Sequence, residues 1–477
     1  MKNLFSSAPY RIFTPMQPPL LPQRWLAPVV YACCLLAALL APGVWTFYAL
    51  PLGLLLLAFA AGHFLAKNRR YFSLLDLLFF HALVYLWIAP ALVYRYAPVL
   101  DPDANFMPIE AGRYFGLAIP GVLALLLGAN AALAFWQRPE GDALERVEAL
   151  LRKQPWLPFL LIALGLAGKA LFPMAPWSLR ALTYFVFWLS LTGSFYLLFL
   201  EKKWKWVALA ALYLLLLRWS LDSTQAGPPL WALVFAALLL FFRYRVKPWV
   251  QLLCYGGAFV LVLLALQVKF DFRTAMRREG MPKDFPSQLA IFSQALFQGD
   301  TTFFSPQRWT RSLDRLNQGY HVAMAMRHTP SIEPYAHGET IGQALLGALV
   351  PRILWRDKPQ AGGHDMYIRF AGQRLSYSAN LGPLGEAYVN FGVRGAVVAM
   401  LLFGFLLGGW YAGLSRLTRR WPALLLWLPF IFSAMLSLET DFATVLNHGV
   451  KGMVFTGMVF WGVKVGGKWI NSSDVSK

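Results

Sequence analysis

Charge is what this chain has least of: only 14% of its 477 residues are charged, and the acidic ones number 23. A soluble chain of that length would fold as several domains, each needing a polar exterior. Instead 58% of the residues are apolar, gathered in runs of Leu, Ala, Val and Phe long enough to cross a bilayer, which points to an all-α polytopic membrane protein. Cysteine is scarce as well. Cys33, Cys34 and Cys254 all fall in apolar runs, which excludes a disulfide framework or an outward-facing thiol nucleophile and reads them as small packing residues. The chain has no P-loop, no glycine-rich nucleotide fingerprint, no metal-ligand cluster, no internal repeat and no low-complexity tail. The net charge of +20 comes with no nucleic-acid motif, so basic residues anchoring the cytoplasmic ends of spans account for it.

Apolar windows of about 20 residues give twelve expected spans: 26–40, 44–65, 73–94, 114–136, 156–171, 182–200, 206–221, 230–242, 250–268, 396–414, 422–438 and 449–463. Charge tests that count independently, because Lys and Arg are retained on the cytoplasmic side. With the N-terminus inside, the inner segments hold 22 Lys and Arg, among them Lys67, Arg146, Arg152, Lys205, Arg243, Arg416 and Arg419. The short outer segments and helix ends hold six: Arg95, Arg113, Lys169, Arg180, Arg218 and Lys451. The expected topology therefore has both termini in the cytoplasm and a long loop, 269–391, in the periplasm. It divides the chain into an N-terminal bundle (1–268), the loop or cap (269–391) and a C-terminal set of spans with its tail (392–477). The first apolar run is expected to stay in the protein, since about 25 residues precede it and a short turn leads into a second span. Leu144, Val147, Leu150 and Leu151 repeat at helical spacing among charges, which predicts a short helix on the inner membrane surface.

The periplasmic loop has the composition of an ordered domain. Helices are expected over 287–297, from Pro306 along an apolar face of Leu313, Leu316, Tyr320 and Met324, and over 340–354. The loop carries fourteen Lys and Arg against ten Asp and Glu, with four of the chain's seven histidines: His321, His328, His337 and His364. Arginine forks match the oxygens of a diphosphate and stabilise the charge that develops as it leaves. A nearby histidine or carboxylate can take the proton of an attacking hydroxyl. Individually, such arginines more often meet lipid phosphate or a helix end, and such histidines are more often structural; their clustering raises the joint case.

Two segments in the loop carry a resemblance. Residues 335–359, YAHGETIGQALLGALVPRILWRDKP, join a Gly and a polar pair to an apolar helix and then to Pro351-Arg352-x-x-Trp355-x-x-Lys358-Pro359. At Gly385 follows Gly-Glu-x-Tyr-x-Asn-Phe-Gly, just before a span. Their order and outer location resemble the O-antigen and oligosaccharide repeat-unit polymerases (Wzy-like). That resemblance implies a metal-independent glycosyltransferase of GT-C-like helical fold, with about 12 transmembrane helices and a large helical periplasmic loop. Such an enzyme sits in the cell inner membrane and acts on undecaprenyl-diphosphate-linked glycans as donor and acceptor. It transfers the growing chain to a new lipid-linked repeat and releases undecaprenyl diphosphate. No cofactor is implied, no nucleic acid is involved, and membrane lipid, a flippase and a chain-length regulator are the expected partners. Metal-dependent lipid-phosphate-sugar transferases usually carry acids in the first outer loop; here that loop, 41–44, has none.

Arg218, Arg278, Arg352 and Lys358 are the expected diphosphate ligands, and Glu339, Tyr388 and Asn390 join them as substrate-binding residues. Arg218 ends a span at the outer boundary, and Arg278 lies in the basic 273–278 run. The expected base is His364, which follows Gly362 and Gly363 in a flexible turn, or otherwise Glu386, which could instead brace the site. An O-antigen ligase-like transferase, using a lipid A core acceptor, would share all of this. A lipid or polysaccharide transporter is the non-enzyme alternative; it favours internal repeats and polar residues deep in the spans, of which only Asp76 and His81 stand out here.

Overall fold

The computed structural model describes residues 21–68, 70–100, 107–171, 174, 180–223, 227–276, 284–297, 306–350, 354–355, 363–373, 379–436 and 438–473. The described residues form helices joined by turns and short extended links, with no strand among them. The first half runs α1 (Leu21–Leu40), α2 (Pro42–Phe47), α3 (Ala49–Lys67), α4 (Asp76–Leu83), a π-helical turn (Val84–Ile88), α5 (Ala89–Leu100) and α6 (Ala111–Trp136). It continues through α7 (Ala143–Lys153), α8 (Leu157–Leu171), α9 (Arg180–Leu198), α10 (Lys205–Ser223), α11 (Gly227–Tyr244) and α12 (Pro248–Met276). The cap helices are α13 (Phe285–Phe297), α14 (Pro306–Leu316), α15 (Gly319–His328), α16 (Glu339–Leu349) and α17 (His364–Ala371). The chain closes with α18 (Gly382–Leu417), a 3-10 turn (Pro422–Leu426), α19 (Leu428–Leu436) and α20 (Phe442–Ser473).

Each of the twelve apolar windows is helical over most of its length. Among the described residues four helices are long and apolar enough to cross a membrane: Ala49–Lys67, Asp76–Ala97, Ala111–Trp136 and Gly382–Leu417. The pair α7 and α8, bent through 89°, would make a fifth.

Packing centres on α6 and α18, which run side by side in the same direction. Gly128 of α6 backs onto the Leu401 carbonyl, while Gly404 and Gly408 of α18 back onto the carbonyls of Leu125 and Ala129. Removing the side chain at these three points lets the two backbones touch, the usual way helices gain dispersion contact in lipid. α8 and α9 form an antiparallel pair on the same principle, with Gly165 against Ser190 and Gly193 against Ile162. Cys33 and Cys254 face outward from their helices, a correction to their reading as packing residues.

The ends of the bundle differ chemically. At one end meet the segments expected to be cytoplasmic. Lys67 pairs with Asp76 at 3.0 Å, Asn68 Nδ2 donates to Gln251 Oε1, Arg146 Nη1 donates to the Arg419 carbonyl, and Arg243 grips Glu148 through two bonds of 2.9 Å. Helix α7 is present as expected, but its Leu144, Val147 and Leu151 are buried and the helix packs on the 3-10 turn, so protein covers that apolar face.

Between α6 and α7 at this end lies Glu140, fully buried, accepting from the Phe72 N–H (3.0 Å) and from Ser415 Oγ (2.6 Å). Burial pushes its carboxyl up from 4.5 to about 7, against the pull of those two donors and of the Lys67 ammonium. A carboxyl whose folded pKa is raised binds its proton more tightly folded than unfolded. Its contribution to stability is therefore complete below pH 4.5 and is lost as pH climbs through about 7. The melting temperature of the wild type in detergent is expected to fall from pH 5 to pH 8 relative to Glu140→Gln, which cannot ionise. Parallel curves for the two proteins would reject this account.

Candidate functional site

The opposite end carries the cap, and there the two motif segments are tied together. Asn390, buried on α18, accepts the Gly338 N–H at Oδ1 (3.0 Å) and donates from Nδ2 to Thr340 Oγ1 (2.7 Å) and to the Glu386 carbonyl (2.8 Å). Thr340 Oγ1 then donates to Glu386 Oε1 (2.8 Å), and Glu386 Oε2 accepts the Phe442 N–H that opens α20 (2.7 Å). The Ala336 and His337 amides add bonds to the carbonyls of Val389 and Asn390. Gly338 adopts φ +92°, a left-handed conformation that favours glycine, and this turns its N–H toward Asn390. Three stretches distant in sequence are thus locked by one threonine, one asparagine and one carboxylate.

The second motif, expected in the loop, is the opening of α18. A break at Gly392 (φ 67°, ψ −170°) separates it from the apolar remainder of that helix. Tyr388 Oη donates to the Thr329 carbonyl (2.9 Å), and its ring meets Tyr335 edge-on. Other expected elements shift by a turn. α16 stops at Leu349 instead of reaching 354, because Val350 (φ −88°, ψ 120°) is extended ahead of Pro351, as the proline ring requires of its predecessor. The single apolar face drawn through Leu313, Leu316, Tyr320 and Met324 is split between α14 and α15, since Asn317 Oδ1 accepts the Tyr320 N–H and caps a new helix.

The nine expected site residues fall into distinct settings. Glu386, Tyr388 and Asn390 are buried in the knot just described. Glu339 is exposed at the start of α16, where both its oxygens receive Arg369 Nη1 at 3.1 Å; Arg369 Nε also reaches Glu333 at 2.6 Å. His364 is exposed as the first residue of α17, so the turn expected there is a helix start, set by Gly363 at φ +69°. Arg218 is exposed near the end of α10, and the structure does not bring it to the knot. Arg278, Arg352 and Lys358 lie outside the described residues.

Other residues named from the sequence for charge or for the loop's histidine cluster take up positions at this end. Arg113, opening α6, donates to the Met326 carbonyl at 2.5 Å, and Arg315 of α14 stands 3.6 Å from Glu439. His321 Nδ1 lies 2.9 Å from Tyr367 Oη, joining α15 to α17. Burial, with the Arg315 cation acting in the same direction, pushes His321 down to about 4, so its imidazole is neutral at physiological pH. Among the described residues no three His, Cys, Asp or Glu side chains gather closely enough to hold a metal ion.

Residues 177–410 match the model of a family described as a domain of unknown function, DUF8712; the matched stretch takes in the cap and both motifs. Neither a curated protein nor a solved structure matches the chain.

Proposed function

We propose that this protein is a membrane glycosyltransferase that polymerises undecaprenyl-diphosphate-linked repeat units at the outer face of the inner membrane. In this reading about twelve spans form a GT-C-like bundle beneath a periplasmic cap. The observation that carries it is the knot of Gly338, Thr340, Glu386 and Asn390, because it joins the two segments on which the polymerase resemblance rests into one unit at the cap end of α18. Arg352 and Lys358, on the segment that follows α16, would hold the donor diphosphate, with Arg218 and Arg278 as further candidates. Transfer breaks the bond between the donor sugar's anomeric carbon and the diphosphate oxygen, which keeps the electron pair. The acceptor hydroxyl oxygen bonds to that carbon and gives up its proton.

The test is incubation of purified protein with a defined lipid-linked repeat: a ladder of longer lipid-linked glycans is expected. Transfer to a lipid A core acceptor in place of the ladder would make the protein an O-antigen ligase, and neither product would reject the transferase reading.

Topology is tested separately. In a cysteine-free variant, single cysteines near Lys205 and Asp300 are expected to differ, with only the second reacting with an impermeant reagent added outside. Equal labelling at both sites would overturn the orientation.

A further inference from the structure

Among the cap's histidines, His321 has one ring nitrogen fixed by a tyrosine hydroxyl. It sits on α15, which holds the cap to the bundle. Beside it, Val322 touches the position of Gly385 in the second motif, Gly319 backs onto Pro90 and Tyr114, and the Met326 carbonyl receives Arg113. The Tyr320 ring lies edge-on to the His321 ring at 5.7 Å. Nδ1 meets Tyr367 Oη at 2.9 Å and the Tyr367 ring lies edge-on at 5.3 Å, while Nε2 has no hydrogen-bond partner among the described residues. Tyr367 is itself buried, so its hydroxyl is a fixed point. With Nδ1–H donating to that oxygen, the lone pair stays on Nε2.

The two groups expected to act as base are set differently. Glu386 already has both oxygens engaged by Thr340 Oγ1 and the Phe442 N–H, inside the protein. His364 is exposed at a helix start, with no described side chain orienting its ring.

We infer that His321 is the residue that takes the acceptor hydroxyl's proton, and that Tyr367 is the positioning residue that sets its tautomer; this rests on the transferase reading above. As the acceptor oxygen bonds to the donor's anomeric carbon, its proton passes to Nε2, and the electron pair of the breaking carbon–oxygen bond leaves with the diphosphate. The imidazolium then returns its proton to solvent or to the departing diphosphate. Arg315, half-exposed and 3.6 Å from Glu439, acts with burial to keep the imidazole neutral before transfer and favours its giving the proton up again afterwards.

The experiment uses the full chain in detergent with a synthetic undecaprenyl-diphosphate-linked repeat, following the ladder, binding of that substrate and melting temperature together. His321→Ala is expected to bind the repeat as the wild type does and to lose about a hundredfold or more in turnover, with added imidazole restoring part of it. Tyr367→Phe keeps the ring and its packing but removes the hydroxyl. Its turnover is expected to fall about tenfold with little change in KM, because an unoriented imidazole spends time in the wrong tautomer.

If the wild type makes a ladder and folded His321→Ala makes it at a similar rate, the assignment of His321 is overturned while the transferase reading stands. Loss of turnover that imidazole cannot restore, accompanied by a lowered melting temperature, would make His321 a structural residue and equally overturn the assignment. Should His321→Ala not fold, normal turnover in Tyr367→Phe overturns the assignment by itself. A silent wild type with either acceptor removes the transferase reading and this inference with it.

Discussion

Gly404→Leu is expected to yield no stably folded protein. A side chain at this position would start against the Leu125 carbonyl and within 3.0 Å of the Ala129 amide, both of them backbone atoms of α6. A flexible neighbour could swing aside, whereas a helix backbone cannot, so α6 and α18 would have to part along their length. Overpacking a core ordinarily costs about 1–3 kcal/mol. Here the cost is larger, because separation also forfeits the close contacts at Gly128 and Gly408. Gly413→Leu is the matched control: it lies on the same helix, with nothing within 4 Å of the added carbon, and is expected to behave as the wild type. The readout is recovery of monodisperse protein in detergent and its melting temperature. Equal recovery of the two variants would mean that the α6–α18 contact does not hold the bundle together.

Glu386→Ala is expected to destabilise the protein by about 3–5 kcal/mol, since it removes a buried acceptor from two donors and leaves a void. The orphaned groups are Thr340 Oγ1, which anchors α16, and the Phe442 N–H, which opens α20. Glu386→Gln should lose less, because its carbonyl oxygen still serves one donor while its amide nitrogen faces the other. Coupling to Thr340→Val is expected to be non-additive by about 0.5–3 kcal/mol in a double-mutant cycle, as the two side chains share one bond. If Glu386→Ala melts like the wild type yet stops the ladder, the carboxylate belongs to the chemistry and not to the frame.

Part of this frame is legible in the residues and part is not. Asn390 and Gly338 were marked by their motifs, and both prove central to the knot. Thr340, which relays the bond from Asn390 to Glu386, was present only as half of a polar pair, because a threonine near a helix start usually serves its own turn. The spacing Gly404-x-x-x-Gly408 within an apolar run is a known signal of close helix packing. It names no partner helix. Asn317 could equally have continued a helix or begun one, and its bond to Tyr320 decides for two helices.

The sequence by itself determined the all-helical class, the positions of the apolar helices, and which segments gather at the basic end, because apolarity, proline and charge act over a few residues. Only the tertiary structure decided that α6 and α18 lie backbone to backbone, that Glu386 is enclosed with both oxygens in use, and that His321 meets Tyr367. The physical reason is that a helix built for lipid is apolar on every side, so its composition carries little record of the face that meets protein. The bonds that tie Gly338 and Thr340 to α18, Glu386 to α20 and His321 to Tyr367 join residues 46 to 56 positions apart, and no local pattern pairs them.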